Sequence, residues 1–287
     1  MEYLRAKTAD DTLQILLREK GRATIIAGGS DLMVKIQEGK WTPEVLVDVT
    51  FASDMKAITV EGSELVIGAA VTLTEIERSP LVMQYYPSLC KGVGTVGSRQ
   101  IRNSATLVGN VVTAQPAADG AMALAPLNPT FVVLSESGKR TLSIDEMYAG
   151  FGKSVIDSSN EVVSEVRIPL PEPGDAAAFT RLELRKSLSL PMLNVAAMLH
   201  YADGVVEWAR ITMAPVGVGP VRAKAAEEFL AGKALTKENA AEAGELALKD
   251  ANPRSNPLRG SKEYREQVLP VLVKRTLEEI ASQLGAL

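Results

Sequence analysis

The chain has 287 residues, 46% hydrophobic and 23% charged, with a formal net charge of −4 at pH 7, which fits a globular protein of two domains. It has no basic run, and this argues against nucleic-acid binding. Its single cysteine, Cys90, and single histidine, His200, exclude an internal disulfide, a cluster held by four cysteines and a histidine-based metal site within the chain.

The chain begins with a predicted helix, strand and second helix. Thr8 is a typical N-cap, and the apolar residues that follow share one helical face until Gly21. Residues 24–27 form a short apolar run that predicts a buried strand. The spacing of the next apolar residues indicates a short helix from about Asp31.

The middle of the chain is rich in strand signals. We expect a short helix from a Thr74 cap to Arg78, and a domain boundary in the proline-rich segment 169–174. The predicted strands are 45–49, 64–69, 108–112, 131–134 and 161–168.

The last third predicts a sheet followed by helices. Residues 195–201 and 205–213 flank Ala202-Asp203-Gly204, which indicates a hairpin. Pro220 is expected to open an alanine-rich helix. Two more helices are predicted at 236–249 and 261–284, the second kinked or interrupted by Pro270.

Two segments combine glycine with small polar residues next to a strand signal. The first is Ala27-Gly28-Gly29-Ser30-Asp31, and the second runs from Gln100 to Asn110 and is followed by Pro116-Ala117-Ala118-Asp119. Such turns expose backbone N–H groups and allow phosphates to approach the main chain. Together they predict one anionic cofactor held from two sides.

A literal G-x-G-x-x-G stands at Gly92–Gly97, but its surroundings are wrong for a dinucleotide-binding fold. That fold needs a strand before the glycines and a helix after them. Residues 87–91 are a poor strand, and residues 98–103 lack an amphipathic pattern. We therefore do not expect a Rossmann site here.

In order and spacing, the two segments resemble the flavin-binding subunits of the molybdenum hydroxylases, which include xanthine and carbon monoxide dehydrogenases. The family pattern A-G-G-[ST]-[DS]-L is Ala27–Leu32 here, and Q-[IV]-R-N-x-[AG]-T-[IL]-G-G-[NS] corresponds to Gln100–Asn110. The resemblance continues through Ala214–Lys224 to Pro253–Arg265, a stretch typical of xanthine-dehydrogenase-like members, so nearly the whole chain is covered.

The resemblance implies an α+β chain with non-covalently bound FAD. Residues 1–172 would form a two-part FAD-binding domain of the vanillyl-alcohol-oxidase (PCMH) type, with subdomains of about 1–55 and 56–172. Residues 173–287 would form a C-terminal α+β domain with a sheet and helices.

The resemblance also implies a set of FAD-binding residues. The first loop and the Thr106 segment would hold the pyrophosphate, phosphates and ribityl chain, and Asp119 would accept hydrogen bonds from FAD hydroxyls. Arg181 replaces a frequent lysine near the flavin ring. The expected cofactor-binding residues are Ile25, Ile26, Ala27, Gly28, Gly29, Ser30, Asp31, Leu32, Val96, Thr106, Val108, Gly109, Asn110, Asp119, Ser164, Arg181, Lys186 and Leu190; no metal ligand and no catalytic acid or base is expected.

Three features depart from the family pattern. Val108 replaces the first glycine of G-G-[NS], where a side chain fills space and resists a positive φ. The loop 184–190 carries two cations and lacks the aspartate of many relatives. The chain also lacks the cysteine quartet that binds an additional iron–sulfur cluster in some relatives.

The resemblance implies an oxidoreductase that carries electrons within a heteromeric complex. A large subunit would hold the molybdenum cofactor, a small subunit would hold [2Fe–2S] clusters, and NAD⁺ or another acceptor would receive the electrons. Two alternatives stay open: a self-contained flavin oxidoreductase, and a non-catalytic FAD- or nucleotide-binding module. No apolar stretch approaches the ~20 residues of a membrane span and the N-terminus lacks a signal-peptide core, so we expect a cytoplasmic protein.

Overall fold

A computed structural model describes residues 1–286 of the chain. The N-terminal part is a three-stranded parallel sheet with strand order β1-β3-β2. Thr8 caps the first helix by accepting a hydrogen bond from the backbone N–H of Asp11, as its sequence position predicts. The elements are β1 (Glu2–Arg5), α1 (Ala9–Glu19), β2 (Ala23–Ile26), α2 (Leu32–Gln37) and β3 (Val45–Asp48).

The middle part is a five-stranded antiparallel sheet, β4-β5-β10-β6-β7, with short helices between its strands and a small β8–β9 hairpin. In space, β10 lies between β5 and β6, although it is the last strand of this sheet in sequence. Helices α3 to α8 all lie in the long connection from β5 to β6. The elements are β4 (Ile58–Glu61), β5 (Glu64–Gly68), α3 (Leu73–Arg78), α4 (Pro80–Tyr85), α5 (Pro87–Val93), α6 (Arg99–Arg102), α7 (Leu107–Val112), α8 (Asp119–Leu124), β6 (Thr130–Ser135), β7 (Gly138–Ser143), β8 (Tyr148–Gly150), β9 (Lys153–Ser154) and β10 (Val162–Pro169).

The C-terminal part is a four-stranded antiparallel sheet, β11-β12-β13-β14, followed by three helices. The predicted hairpin around Asp203 and Gly204 is present as β12 and β13. The elements are β11 (Asp175–Leu182), β12 (Leu193–Ala202), β13 (Val205–Ala214), β14 (Val221–Arg222), α9 (Lys224–Leu230), α10 (Lys237–Ala247) and α11 (Lys262–Leu284). Short 3₁₀ turns lie at Ser53–Met55, Ala125–Leu127, Asp145–Met147 and Leu248–Asp250.

The C-terminal sheet is buried on both faces. Along β12, Val195 and Ala197 belong to the core shared with helices α9 to α11, whereas Ala196 and Met198 belong to the core of the preceding parts. Successive side chains of a strand point to opposite faces, so one strand serves two cores. The C-terminal part and the parts that precede it are therefore joined by continuous packing.

Several predicted elements differ from the structure. Residues 108–112 are helical in α7, because Thr106 caps a helix there instead of the chain extending into a strand. The cap of α3 is Thr72, which forms a reciprocal capping box with Glu75, and not Thr74.

The C-terminal helices also depart from the predicted boundaries. The residues directly after Pro220 pair with β13 as β14, and α9 starts later, at Lys224. Helix α11 continues through Pro270 without interruption. Proline lacks one backbone donor, but the burial of Pro270 and its neighbours Leu269 and Leu272 holds the helix together.

None of the helices formed by residues 1–286 is both long enough and apolar enough to cross a membrane.

Candidate cofactor-binding cleft

A cleft of 1180 Å³ runs between the N-terminal sheet, the middle part and the C-terminal segment. Both glycine-containing segments of the sequence line it, although the first follows strand β2 and the second belongs to helices α6 and α7. The wall also includes the β8–β9 region and the stretch from Asn252 to Arg259. The predicted site residues that line the cleft are Ile25, Ile26, Ala27, Gly28, Gly29, Ser30, Asp31, Leu32, Val96, Thr106, Val108, Gly109, Asn110, Asp119 and Leu190.

Gly28 lets the two segments touch. A Cβ atom at this position would lie 2.0 Å from the backbone oxygen of Ser104 and 2.6 Å from the backbone nitrogen of Ala105. Gly29, at φ +66°, adopts the left-handed conformation that disfavours side chains. The glycines of the first loop are thus required by a backbone-to-backbone contact and by the turn itself.

The first loop presents a row of free backbone donors. The backbone N–H groups of residues 28–32 have no hydrogen-bond acceptor within the described chain, although Gly29 accepts a bond from Met33 through its carbonyl. Buried or half-buried backbone donors normally have partners. A row of N–H groups facing a cleft is suited to the oxygens of a phosphate or pyrophosphate.

The second loop is held by side-chain hydrogen bonds at the start of α7. The hydroxyl of Thr106, which is buried, accepts a bond of 3.0 Å from the backbone N–H of Gly109. The amide oxygen of Asn110 accepts a bond of 3.0 Å from the backbone N–H of Ala121 in α8. These bonds fix the two short helices and, with them, the wall of the cleft.

Val108 fits its position without backbone strain. It lies inside α7 and is absent from the residues of positive φ. The expectation that a positive φ is needed there is wrong, since the segment is helical. The side chain is buried against the core and forms part of the cleft lining, so only its volume distinguishes it from the glycine of the family pattern.

Asp119 is the centre of a buried polar network. Its Oδ1 accepts a hydrogen bond of 3.0 Å from Nε of Arg181 and one of 2.8 Å from the amide of Asn194 on β12. Burial raises the pKa of the Asp119 carboxyl, and the Arg181 guanidinium opposes that effect. The network joins α8, at the cleft, to the C-terminal sheet.

Arg181 is not among the residues that line the cleft, and its guanidinium contacts three other groups. Besides Asp119, its guanidinium contacts the carboxylate of Glu183 and donates to the carbonyl oxygen of Ser189. The bond to Ser189 holds the loop whose residues Leu188 and Leu190 reach the cleft. Arg181 thereby fixes both a wall residue and a loop, which sequence reasoning did not anticipate.

Two other predicted residues also lie outside the cleft lining. Ser164 sits at a bulge of β10, where its carbonyl accepts a hydrogen bond of 2.9 Å from the backbone N–H of Ala69. Lys186 is exposed on the loop that follows β11. Contact of these residues with FAD stays a prediction, as it does for the residues that line the cleft.

Several residues of the cleft were missed by the sequence analysis. Lys35 and Trp41 line the cleft, and the indole N–H of Trp41 donates to the hydroxyl of Thr24. Phe151 is 61% exposed, and the guanidinium of Arg254 lies 5.7 Å from its ring centroid. The sequence feature that could have indicated this part of the cleft is the pair Arg254 and Arg259, in an irregular, polar stretch between two predicted helices.

Cys90 and His200 take no part in the cleft. Cys90 is buried on α5 and donates to the carbonyl oxygen of Ile76, as expected for a small core residue. His200 lies on β12, where its Nδ1 is 2.9 Å from a carboxylate oxygen of Asp175 and its ring stacks on Trp208.

The fold and the cleft define a nucleotide-cofactor-binding chain whose two loops come from the end of β2 and from the α6–α7 segment. Comparison with known proteins specifies the class. Residues 1–171 match the family model described as the FAD-binding domain in molybdopterin dehydrogenase, and residues 177–280 match that of the CO dehydrogenase flavoprotein C-terminal domain. The chain therefore belongs to the FAD-binding subunits of the molybdenum hydroxylase family, and is an oxidoreductase chain.

Individual relatives agree with this assignment over their whole length. The chain is 32% identical to the nicotinate dehydrogenase FAD-subunit of Eubacterium barkeri, covering 99% of this chain and 97% of that protein. A carbon monoxide dehydrogenase structure from Hydrogenophaga pseudoflava superposes with a TM-score of 0.92 at 27% identity, over 99% of this chain and 98% of the other. Quinoline 2-oxidoreductase from Pseudomonas putida 86 gives a TM-score of 0.90 at 28% identity, with 99% and 98% covered.

Together, these findings confirm the predicted family, the α+β fold and the FAD-binding domain.

Proposed function

We propose that this chain carries FAD as the electron-transfer subunit of a molybdenum-dependent hydroxylase or dehydrogenase. In this proposal, electrons arrive from a [2Fe–2S] subunit and leave to NAD⁺ or another acceptor, while the substrate reacts on a separate molybdenum subunit. FAD, when bound, supplies a redox centre that exchanges electrons one or two at a time.

The observation that carries the proposal is the row of free N–H donors at residues 28–32. These donors face a cleft of 1180 Å³ that is closed on its other side by the Thr106 loop. The net charge of a pyrophosphate is matched there by backbone dipoles, without any lysine or arginine in the loop itself. The residues present therefore fit the cofactor implied by the family.

The chain's own residues position and shield the cofactor. Val96, Ile101 and Leu190 give the cleft an apolar lining next to the polar loops. Asp119 is held by Arg181 and Asn194, so its second carboxylate oxygen keeps one direction relative to the cleft. A fixed carboxylate and an apolar wall tune a redox group by orientation and electrostatics.

The proposed partners follow from the relatives, which include the medium chain of carbon monoxide dehydrogenase and the FAD-subunits of nicotinate and xanthine dehydrogenases. Those names describe single subunits of larger enzymes, and we extend the same arrangement to this chain. We also propose a cytoplasmic location, because a chain with one buried cysteine suits a reducing compartment.

The first test is the visible absorption spectrum of the purified chain, followed by acid release and identification of the cofactor. We expect FAD near one equivalent per chain. The same FAD-loaded chain is then mixed with nicotinate, xanthine and quinoline in the absence of partner subunits, and no bleaching of the flavin is expected.

Two results would contradict the proposal in different ways. A chain that takes up no FAD, even when reconstituted together with candidate partner subunits, would point to a module without redox function. Bleaching of the flavin by an organic substrate in the isolated chain would instead indicate a self-contained flavin oxidoreductase.

A further inference from the structure

Arg265, on the first turn of α11, is a buried cation without a carboxylate partner among residues 1–286. The residue is 3% exposed and lines the cleft. Its guanidinium donates only to two backbone oxygens, those of Arg254, at 2.7 Å, and Pro215. Its Nε is buried and has no acceptor within residues 1–286. A buried charge of this kind is costly unless an anion neutralises it.

Two further arginines add to this charge. Arg254 and Arg259 both line the cleft, and within residues 1–286 no carboxylate forms an ion pair with either side chain. Burial lowers the pKa of Arg265, and the charge of Arg259 adds to that effect. The like charges of Arg259 and Arg265 therefore repel each other.

The arginine wall is rigidly connected to the rest of the cleft. Arg265 holds the carbonyl of Arg254, and the backbone N–H of Asn252 donates to the carbonyl of Val216 at 2.9 Å. The guanidinium of Arg254 lies 5.7 Å from the ring centroid of Phe151, which also lines the cleft. Arg265 is thus a positioning residue that fixes the backbone of Arg254, and the guanidinium groups of Arg254 and Arg259 have no carboxylate partner within residues 1–286.

We propose that Arg254 and Arg259, positioned by Arg265, form a second anion-binding subsite of the cleft, which receives the phosphate groups of the electron acceptor. The acceptor is thereby assigned to phosphate-bearing compounds such as a pyridine dinucleotide, rather than to neutral quinones. Guanidinium groups bind phosphate oxygens in pairs with charge-assisted hydrogen bonds. This inference rests on the proposed function, since it names the acceptor class for the same cleft.

The subsite is built from different chemical groups than the backbone donors of residues 28–32. Those donors are supplied by the N-terminal sheet and need no side chain, whereas the arginines are supplied by the segment before α11. A chain already loaded with FAD has its first loop occupied under the proposed function. Any additional phosphate that binds to the loaded chain must then use another set of donors.

The test is isothermal titration calorimetry of the FAD-loaded full chain with inorganic pyrophosphate, NAD⁺ and nicotinamide riboside, the last of which lacks the pyrophosphate. The variant is the double substitution Arg254→Gln and Arg259→Gln. The matched control is Arg275→Gln, which removes an exposed arginine of α11 that lies outside the cleft lining. FAD per chain is measured for every preparation.

We expect the double variant to bind pyrophosphate and NAD⁺ at least about tenfold more weakly, from the loss of charge-assisted hydrogen bonds. Nicotinamide riboside should be unaffected, and Arg275→Gln should behave as the unaltered chain. The affinity of the unaltered chain for pyrophosphate should also fall with added salt.

Three results would overturn the subsite: equal affinities in the double variant and the unaltered chain, equal weakening by Arg275→Gln, or loss of FAD from the double variant. The last result would mean that the arginines serve FAD itself. If the unaltered chain binds no FAD, even when reconstituted together with candidate partner subunits, the proposed function fails. The subsite is then tested separately by titrating the FAD-free chain and the FAD-free double variant with pyrophosphate. Equal affinities of the two for pyrophosphate would overturn the subsite.

Discussion

The two sides of the cleft are built from different chemical groups. The side formed by residues 28–32 offers backbone N–H groups and depends on the absence of side chains, as the contact between Gly28 and Ser104 shows. The side formed by Arg254 and Arg259 offers side-chain charge on an irregular segment. A site made of backbone groups is destroyed when a substitution adds a side-chain atom. A site made of charged side chains loses affinity when a substitution removes the charge.

The largest expected effect is that of Gly28→Ala. Its Cβ would overlap the Ser104 backbone at 2.0 Å, so the two loops would have to separate. We expect the free energy of unfolding to fall by more than about 4 kcal/mol, and FAD to be lost. Urea denaturation and FAD content measure both effects. Gly150→Ala is the control, because its Cβ would meet only the Lys153 side chain, at 3.9 Å; an equal loss there would refute the explanation.

Asp119→Ala should have the next largest effect. It removes the more buried of the two carboxylates that contact the guanidinium of Arg181, a side chain only 7% exposed, and also the acceptor of the Asn194 amide. Because Glu183 still faces the charge, the cost is that of the lost buried hydrogen bonds, about 2 kcal/mol. We therefore expect lower stability as well as lower FAD content, measured by thermal unfolding and cofactor release. Asp119→Asn keeps an oxygen acceptor and should lose less; equal stability of the Ala variant and the unaltered chain would rule out the network.

Arg181→Lys should loosen the loop 184–190 without unfolding the protein. A lysine ammonium cannot reach Asp119, Glu183 and the Ser189 carbonyl together, as the guanidinium does. Loss of about 1 kcal/mol from the Ser189 contact corresponds to roughly fivefold faster local amide exchange. Hydrogen exchange of the loop measures this, with Lys186→Gln as a neighbouring control. Unchanged exchange in Arg181→Lys would show that Arg181 does not hold the loop.

Cys90 should give the smallest effect. Burial raises the pKa of its thiol from 9.0 to about 11, so the thiolate is scarce at neutral pH. Because the folded pKa is the higher one, the thiol favours the folded state at neutral pH, and this contribution is lost as the pH rises from 9.0 to about 11. Alkylation by iodoacetamide at pH 7.5 should be slow in the native chain and fast in urea. Comparable rates in both states would contradict the burial.

The sequence revealed the backbone side of the cleft better than the arginine side. Glycines in the first loop are recognisable because only particular turns require them, and the same turn places Gly29 at φ +66°. The prediction of a strand at residues 108–112 was wrong, because the Thr106 cap and the short helix α7 that it starts outweigh the β-propensity of valine. The pair Arg254 and Arg259 in an irregular stretch is a weak signal, because their place at the cleft depends on how α11 packs against β11 and β12.

The hydrogen bonds of Arg181 were beyond sequence reasoning for a similar reason. Asp119, Arg181 and Asn194 lie on α8, β11 and β12, and their contact exists only once the C-terminal sheet packs on the middle part. Spacing along the chain predicts neighbours on one helix or strand, but not the partners of a buried charge across a sheet.

The network around Asp119 has a consequence for synthesis on the ribosome. The glycine loop and the Thr106 loop emerge early, but their neighbour Asp119 stays without its buried partners until β11 and β12 have left the exit tunnel. A nascent chain can therefore assemble the complete pocket only after most of its length has been translated. Under the proposed function, the FAD pocket is completed only on late nascent or finished chains.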